Sequence, residues 1–207
     1  MSKPIAPGHD LFTADDLAPS DHELRDRRKG RLDKAVTCIA VLCCGAWSGG
    51  LTALGVCAAP MVFRLTPYPH SGDAMTATFA RFDTIAVGLS VVLLACEVTR
   101  TLLRWRQAQG LLARIRRYLA IIAALAGGFL ATQLTPQLQA LHARGVRRGV
   151  GADGQLFDQL HAQSELIGKA IVVMTIVLIF LHIFTLNEDD GDEHVALAPG
   201  APGPAGR

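Results

Sequence analysis

The stretch LHAQSELIGKAIVVMTIVLIFLHIF, residues 160–184, decides the fold. Its second half is apolar apart from Thr175 and His182. From Ala170 to Leu186 it supplies about seventeen residues, just enough to cross some 30 Å of hydrocarbon if the helix stands upright. Its first half gathers His161, Ser164, Glu165 and Lys169. Glu165 and Lys169 are spaced i, i+4 in the order that favours pairing. Lys169 falls at the boundary, where a long stem lets its ammonium reach water. The first half therefore reads as a polar cap on a membrane helix.

Three further apolar runs stand upstream, so the expected spans are about 35–65, 82–103, 118–141 and 160–186. Half of the 207 residues are apolar, 18% are charged, and mean hydropathy is +0.31, a balance that suits a bilayer protein better than a soluble one. Lipid offers the backbone no hydrogen-bond partner, so each span is predicted to be helical. The fold class expected is all-α: an integral membrane four-helix bundle with disordered tails. Its first partner is the lipid bilayer, and a net charge of +2 points to no nucleic-acid partner.

Charge placement orients the bundle. Arg25, Arg27, Arg28, Lys29, Arg31 and Lys34 precede the first span, and Arg100, Arg104, Arg106, Arg114, Arg116 and Arg117 lie between the second and third. The other two connections hold only Arg64 and Arg81, then Arg144, Arg147 and Arg148. The excess of basic residues predicts a multi-pass protein of a cell inner membrane with both termini cytoplasmic. A secretory signal is not expected, because the first apolar run is long and follows a polar stretch.

Outside the spans, residues 1–19 lack an apolar period and are expected to be disordered. Ser20 and Glu23 fit a capping box opening a basic juxtamembrane helix over 20–34. Residues 187–207, acidic and then rich in Ala, Pro and Gly, read as a flexible tail. Within the spans, Gly45 and Gly49 form a GxxxG, and the third span carries small residues in step, among them Ala124 and Gly128. Such faces let helices approach closely, within the bundle or against a second copy or a membrane-protein partner. Trp47, on the glycine turn, is expected to fill the space they leave, and Trp105 to anchor at the interface.

The topology brings polar residues together at the outer end. These are Pro60 and Arg64 on the first helix, Arg81 and Asp83 on the second, Thr135 and Pro136 on the third, and His161 and Ser164 on the fourth. The prolines are expected to bend or end their helices, Arg81 or Arg64 to pair with Asp83, and His161 with Ser164 to supply hydrogen bonds or hold a small ligand. A bis-histidine haem pair would need a second histidine at the depth of His182, and with His70 and His142 in the outer loops none is visible within the membrane. All five cysteines lie in the first two spans, so no disulfide framework is expected. Cys43 and Cys57 fall on nearly the same helix face, and with His161 they are the weak candidates for metal ligands; no cofactor is predicted, with copper or haem as the alternative. No GxSxG, HExxH, phosphate-binding loop or dinucleotide fingerprint occurs in its required context, and no enzyme activity is expected.

Taken in order, Trp47 to Gly50, Ala59 to Arg64, Phe79 to Asp83, Leu134 to Pro136, and Phe157 with His161 and Ser164 resemble the transmembrane protein 205-like family. That resemblance covers roughly 35–184 and implies a four-helix integral membrane protein of undefined activity. A more distant similarity is to the membrane domain of copper-resistance protein D. The chain departs from the pattern at Gly168, where an Asn would be expected one turn after Ser164. Three functions stay open: a structural, accessory or small-ligand-binding membrane protein, a permease for a small molecule or ion, and a metal- or haem-handling protein.

Overall fold

The computed structural model describes residues 20–67, 70–103 and 110–196, with side chains as far as Leu186. The expected disorder of residues 1–19, the anchoring of Trp105 and the end of the tail, 197–207, lie outside them. Four long helices make up the described residues: α1 (Asp21–Leu65), α2 (His70–Leu103), α3 (Leu111–Ala143) and α4 (Gly151–Ala196). Each is long and apolar enough to cross a membrane, as a multi-pass membrane protein requires.

The helices begin and end for local reasons. The capping box forms: Glu23 N–H donates to Ser20 Oγ at 3.3 Å, and Ser20 N–H to Glu23 Oε2 at 3.0 Å. From there α1 runs unbroken into the apolar sequence, so the basic segment and the first span are one helix. At the end of α3, Gly145 takes φ +70°. Its N–H reaches His142 O, the Val146 N–H reaches Leu141 O, and Val146 packs on Leu141. These are the paired bonds and the apolar contact of a Schellman cap. Beyond Leu186, α4 continues as helix to Ala196, so the acidic part of the tail does not leave the helix where a flexible segment was expected. Extending an existing helix costs far less than nucleating one.

Pro60 and Pro136 neither end their helices nor break them. Each follows a wide, π-helical turn, Ala53–Ala58 in α1 and Leu130–Leu134 in α3, and sits at the start of the α-helical segment beyond it. A proline has no N–H to give and crowds the carbonyl four residues back. A π turn moves that carbonyl away and lets the helix carry on.

In the bundle α1 packs on α2 and α4, and α3 packs on the same two, closing a four-sided arrangement. Across its diagonal, the Trp47 ring lies against Gly127, where an added Cβ would stand 2.6 Å from the indole. The interior is built in layers. Val36, Ala40, Cys44, Leu93, Cys96, Ala120 and Leu178 form one, and Trp47, Ala86, Ala123 and Ile171 the next. Leu134, Leu141 and Leu160 fill the end far from the termini. Large aliphatic and aromatic side chains such as Leu42, Leu125, Val173 and Phe180 face outward, each more than half exposed, as a lipid-facing surface demands.

The packing glycines differ from expectation. Gly45 and Gly49 face outward, with nothing within 4 Å of an added Cβ, and Gly128 is equally open. Ala124 is only half-buried, one position from the fully buried Ala123. The close approaches are made instead by Gly127 against Trp47 and by Gly50, whose Cα lies under the Phe82 ring. At about 100° per residue a one-residue shift turns a side chain from lipid to core, so a small-residue pattern alone leaves the inward position ambiguous.

Candidate functional site

Each helix buries one stripe at three- and four-residue spacing, and each stripe meets ionisable or polar groups at the end of the bundle nearer the termini. On α1 it runs Asp33, Val36, Thr37, Ala40, Cys44 and Trp47; on α2 Ala86, Ser90, Leu93, Glu97 and Arg100. On α3 it runs Arg116, Ala120, Ala123 and Gly127, and on α4 Ile171, Thr175, Leu178 and His182. Asp33, Glu97, Arg100, Arg116 and His182 are all at most 5% exposed.

These five residues form one network joining all four helices. Arg100 donates from Nε to Asp33 Oδ1 at 3.1 Å and from Nη1 to His182 Nδ1 at 2.9 Å. Arg116 donates from Nε to Glu97 Oε1 at 2.9 Å and Oε2 at 3.2 Å, and from Nη1 to Thr185 Oγ1 at 2.8 Å. A guanidinium only donates, so His182 Nδ1 accepts, and the ring is assigned as neutral with its proton on Nε2. Nε2 stands 3.3 Å from Glu97 Oε1 but is not aligned for a hydrogen bond, so it remains a buried polar atom without one.

Two carboxylates, two guanidiniums and a neutral imidazole balance to no net charge. Burying them singly would be prohibitive; together they compensate one another, and losing one member strands its partner in an apolar interior. The His182 side chain is fully buried.

His182, for which the sequence offers no histidine partner for a haem, is held instead by Arg100, and Arg100 and Arg116 are internal ligands of carboxylates rather than loop charges. Glu97 is the signal that would have found the site. It is an acid set among apolar residues one turn from Arg100, and an ionisable residue there demands a partner.

At the far end, the expected polar residues are dispersed. Asp83 accepts a hydrogen bond from Thr135 Oγ1, so α2 and α3 are joined there and no Arg81 or Arg64 pair with Asp83 forms. With Pro136, Thr84 and Gln139 they line an open groove of about 280 Å³. Arg81 lines a different one, about 560 Å³, between α1 and α2. Pro60 and Arg64 are exposed near the end of α1 and line neither. His161 stacks on Phe157 of its own helix at a ring separation of 6.5 Å, while Ser164 Oγ donates to His161 O at 2.8 Å. Lys169 pairs with Glu165 at 2.7 Å on the surface. His142, on the last turn of α3, meets Asp73 at 2.9 Å and packs against Gly72.

Of the weak metal candidates, Cys43 is buried and Cys57 exposed. Fourteen residues of helix hold them about 20 Å apart, too far to share an ion. Among the described residues no group of three His, Cys, Asp or Glu side chains is placed to hold a metal.

A family model described as a domain of unknown function (DUF4149) matches residues 42–147, just over half of the chain, and the chain belongs to that family. The matched segment carries Trp47, Asp83, Glu97, Arg100, Arg116 and Thr135, whereas Asp33 and all of α4 lie outside it. No curated protein and no solved structure matches the chain.

Proposed function

We propose that this member of a family with no assigned function is a non-enzymatic accessory protein of a cell inner membrane, crossing it four times with both termini in the cytoplasm. It acts by binding at its surface, to lipid and to a membrane-protein partner or second copy, rather than by passing solutes. The observation that carries this reading is the interior. Two largely apolar layers, one around Leu93 and Leu178 and the other around Trp47 and Ile171, separate the buried network from the far-end groups, and the buried hydroxyls among them, Ser48, Ser90 and Thr175, each donate to a carbonyl of their own helix. A transported ion or polar solute needs charged or freely hydrogen-bonding groups along its whole path, and here the ionisable groups stop at either end while the hydroxyls between them are already bonded within their own helices.

The orientation rests on the basic residues of α1 and of the α2–α3 connection. It turns the Asp83, Thr135 and Pro136 groove toward the extracytoplasmic side, the best position for a small ligand if one is bound. The motif order resembling the transmembrane protein 205-like family agrees with this reading and adds no chemistry to it.

Two measurements test it. Cysteine labelling from either side of the membrane should modify a cysteine introduced at Arg25 only from the cytoplasm and one at Val150 only from outside. Purified protein in liposomes should leave the permeability to protons, potassium and small anions at that of protein-free liposomes. A saturable flux abolished by Asp83→Asn would replace the accessory reading with a permease. A Soret band or stoichiometric copper in protein from supplemented cells would replace it with the metal-handling one.

A further inference from the structure

The groove between α1 and α2 has a chemistry of its own. Its walls are Gly50, Ala53 and Leu54 on α1 and Ala77, Phe82 and Ile85 on α2, and its polar members are Arg81 and Thr78. The Thr78 hydroxyl proton is already given to Ala74 O at 2.7 Å. Arg81 is exposed, and among the described residues its guanidinium has no carboxylate partner, since Asp83 is held by Thr135. Gly50 is what keeps the groove's inner wall flat: any side chain there would run into the Phe82 ring.

Depth adds the second constraint. Arg81 and Arg100 are separated along α2 by nineteen residues, about 28 Å, close to the thickness of a bilayer's hydrocarbon core. With Arg100 at one boundary, Arg81 stands at the other. The groove-lining Phe82 and Ile85 then reach into the hydrocarbon, and the cation sits level with the headgroups.

We infer that this groove is a phospholipid-binding site of the outer leaflet, with an acyl chain along Gly50, Ala53, Phe82 and Ile85 and the phosphate on Arg81. An unpaired cation at the rim of an apolar groove is complementary to a molecule that carries phosphate at one end and hydrocarbon at the other. Guanidinium binds phosphate through paired N–H donors, which favours Arg81 over a lysine at this position. The assignment rests on the bilayer placement proposed above. The requirement for detergent in extraction and the labelling pattern test that placement separately.

The test is native mass spectrometry of the full-length protein released from detergent micelles, titrated with palmitoyl-oleoyl phosphatidylglycerol. One lipid should stay bound to the unaltered protein. Arg81→Ala should weaken that binding about fivefold, the worth of one arginine at an anionic headgroup, and Arg81→Lys should recover part of the loss. Ala53→Trp, an exposed position whose new ring fills the groove, should weaken it at least as much with Arg81 intact. Arg64→Ala, which removes an exposed cation outside the groove, should have no effect. Diacylglycerol, which lacks the phosphate, should bind as weakly to the unaltered protein as phosphatidylglycerol does to Arg81→Ala. Retention unchanged in both Arg81→Ala and Ala53→Trp, equal binding of diacylglycerol, or displacement by glycerol phosphate alone would each overturn the assignment.

Discussion

The two ends of the bundle handle polarity in opposite ways. Near the termini, all four helices contribute to one buried network in which each charge faces another: Asp33 with Arg100, Glu97 with Arg116, and His182 between them. At the far end, polar side chains meet in twos near the surface, Asp83 with Thr135, Asp73 with His142 and Glu165 with Lys169, and among the described residues Arg81 meets no carboxylate. The first arrangement fixes the positions of four helices at once. The second leaves side chains at groove edges, where they can meet a ligand without dismantling the fold. Buried, mutually dependent polar groups serve architecture here, and the loosely held ones are those available for recognition.

This contrast has measurable consequences. Removing one member of the network should do the most damage: Glu97→Ala leaves Arg116 buried without its carboxylate, and about 3–5 kcal/mol of stability should be lost in thermal unfolding of the micelle-solubilised protein. The Glu97→Leu, Arg116→Leu double variant should recover most of that loss, because two apolar side chains strand no charge. If the double variant is as unstable as the single one, the network does more than balance charge. Thr135→Val should cost only about 1 kcal/mol, since Asp83 is half-buried and water can replace the lost donor. A loss equal to that of Glu97→Ala would erase the difference between the ends. Smallest of all, Lys169→Ala should leave the unfolding midpoint unchanged, its partner Glu165 being solvated.

The same contrast explains what the sequence made legible. The four helices were readable because length and hydropathy alone govern a crossing, and the capping box at Ser20 and Glu23 works through residues adjacent in the chain. The network was not, because its members are separated by up to 149 positions, from Asp33 to His182. Each also has an ordinary local explanation: Arg100 and Arg116 look like loop charges, and Asp33 like one acid in a basic helix. Only their inward facing, at three- and four-residue spacing from buried Val36, Leu93, Ala120 and Leu178, distinguishes them. At the far end, Asp83, Thr135 and Pro136, placed at similar depth by the sequence, line one groove. The sequence did not separate Arg81 into a second groove, which depends on the direction each residue takes around α2 rather than on its height along it.

The neutrality of the network also bears on how the protein responds to an energised membrane. An elementary charge carried across a potential of 100 mV exchanges about 2.3 kcal/mol with the field. Two carboxylates and two guanidiniums fixed together, beside an uncharged imidazole, offer the field no net charge to pull. In the bilayer placement proposed above they also lie at one boundary of the hydrocarbon, where little of the potential has yet dropped. The charged network of this bundle is thus electrically quiet, and its geometry should be the same in a resting cell as in one whose membrane has been depolarised.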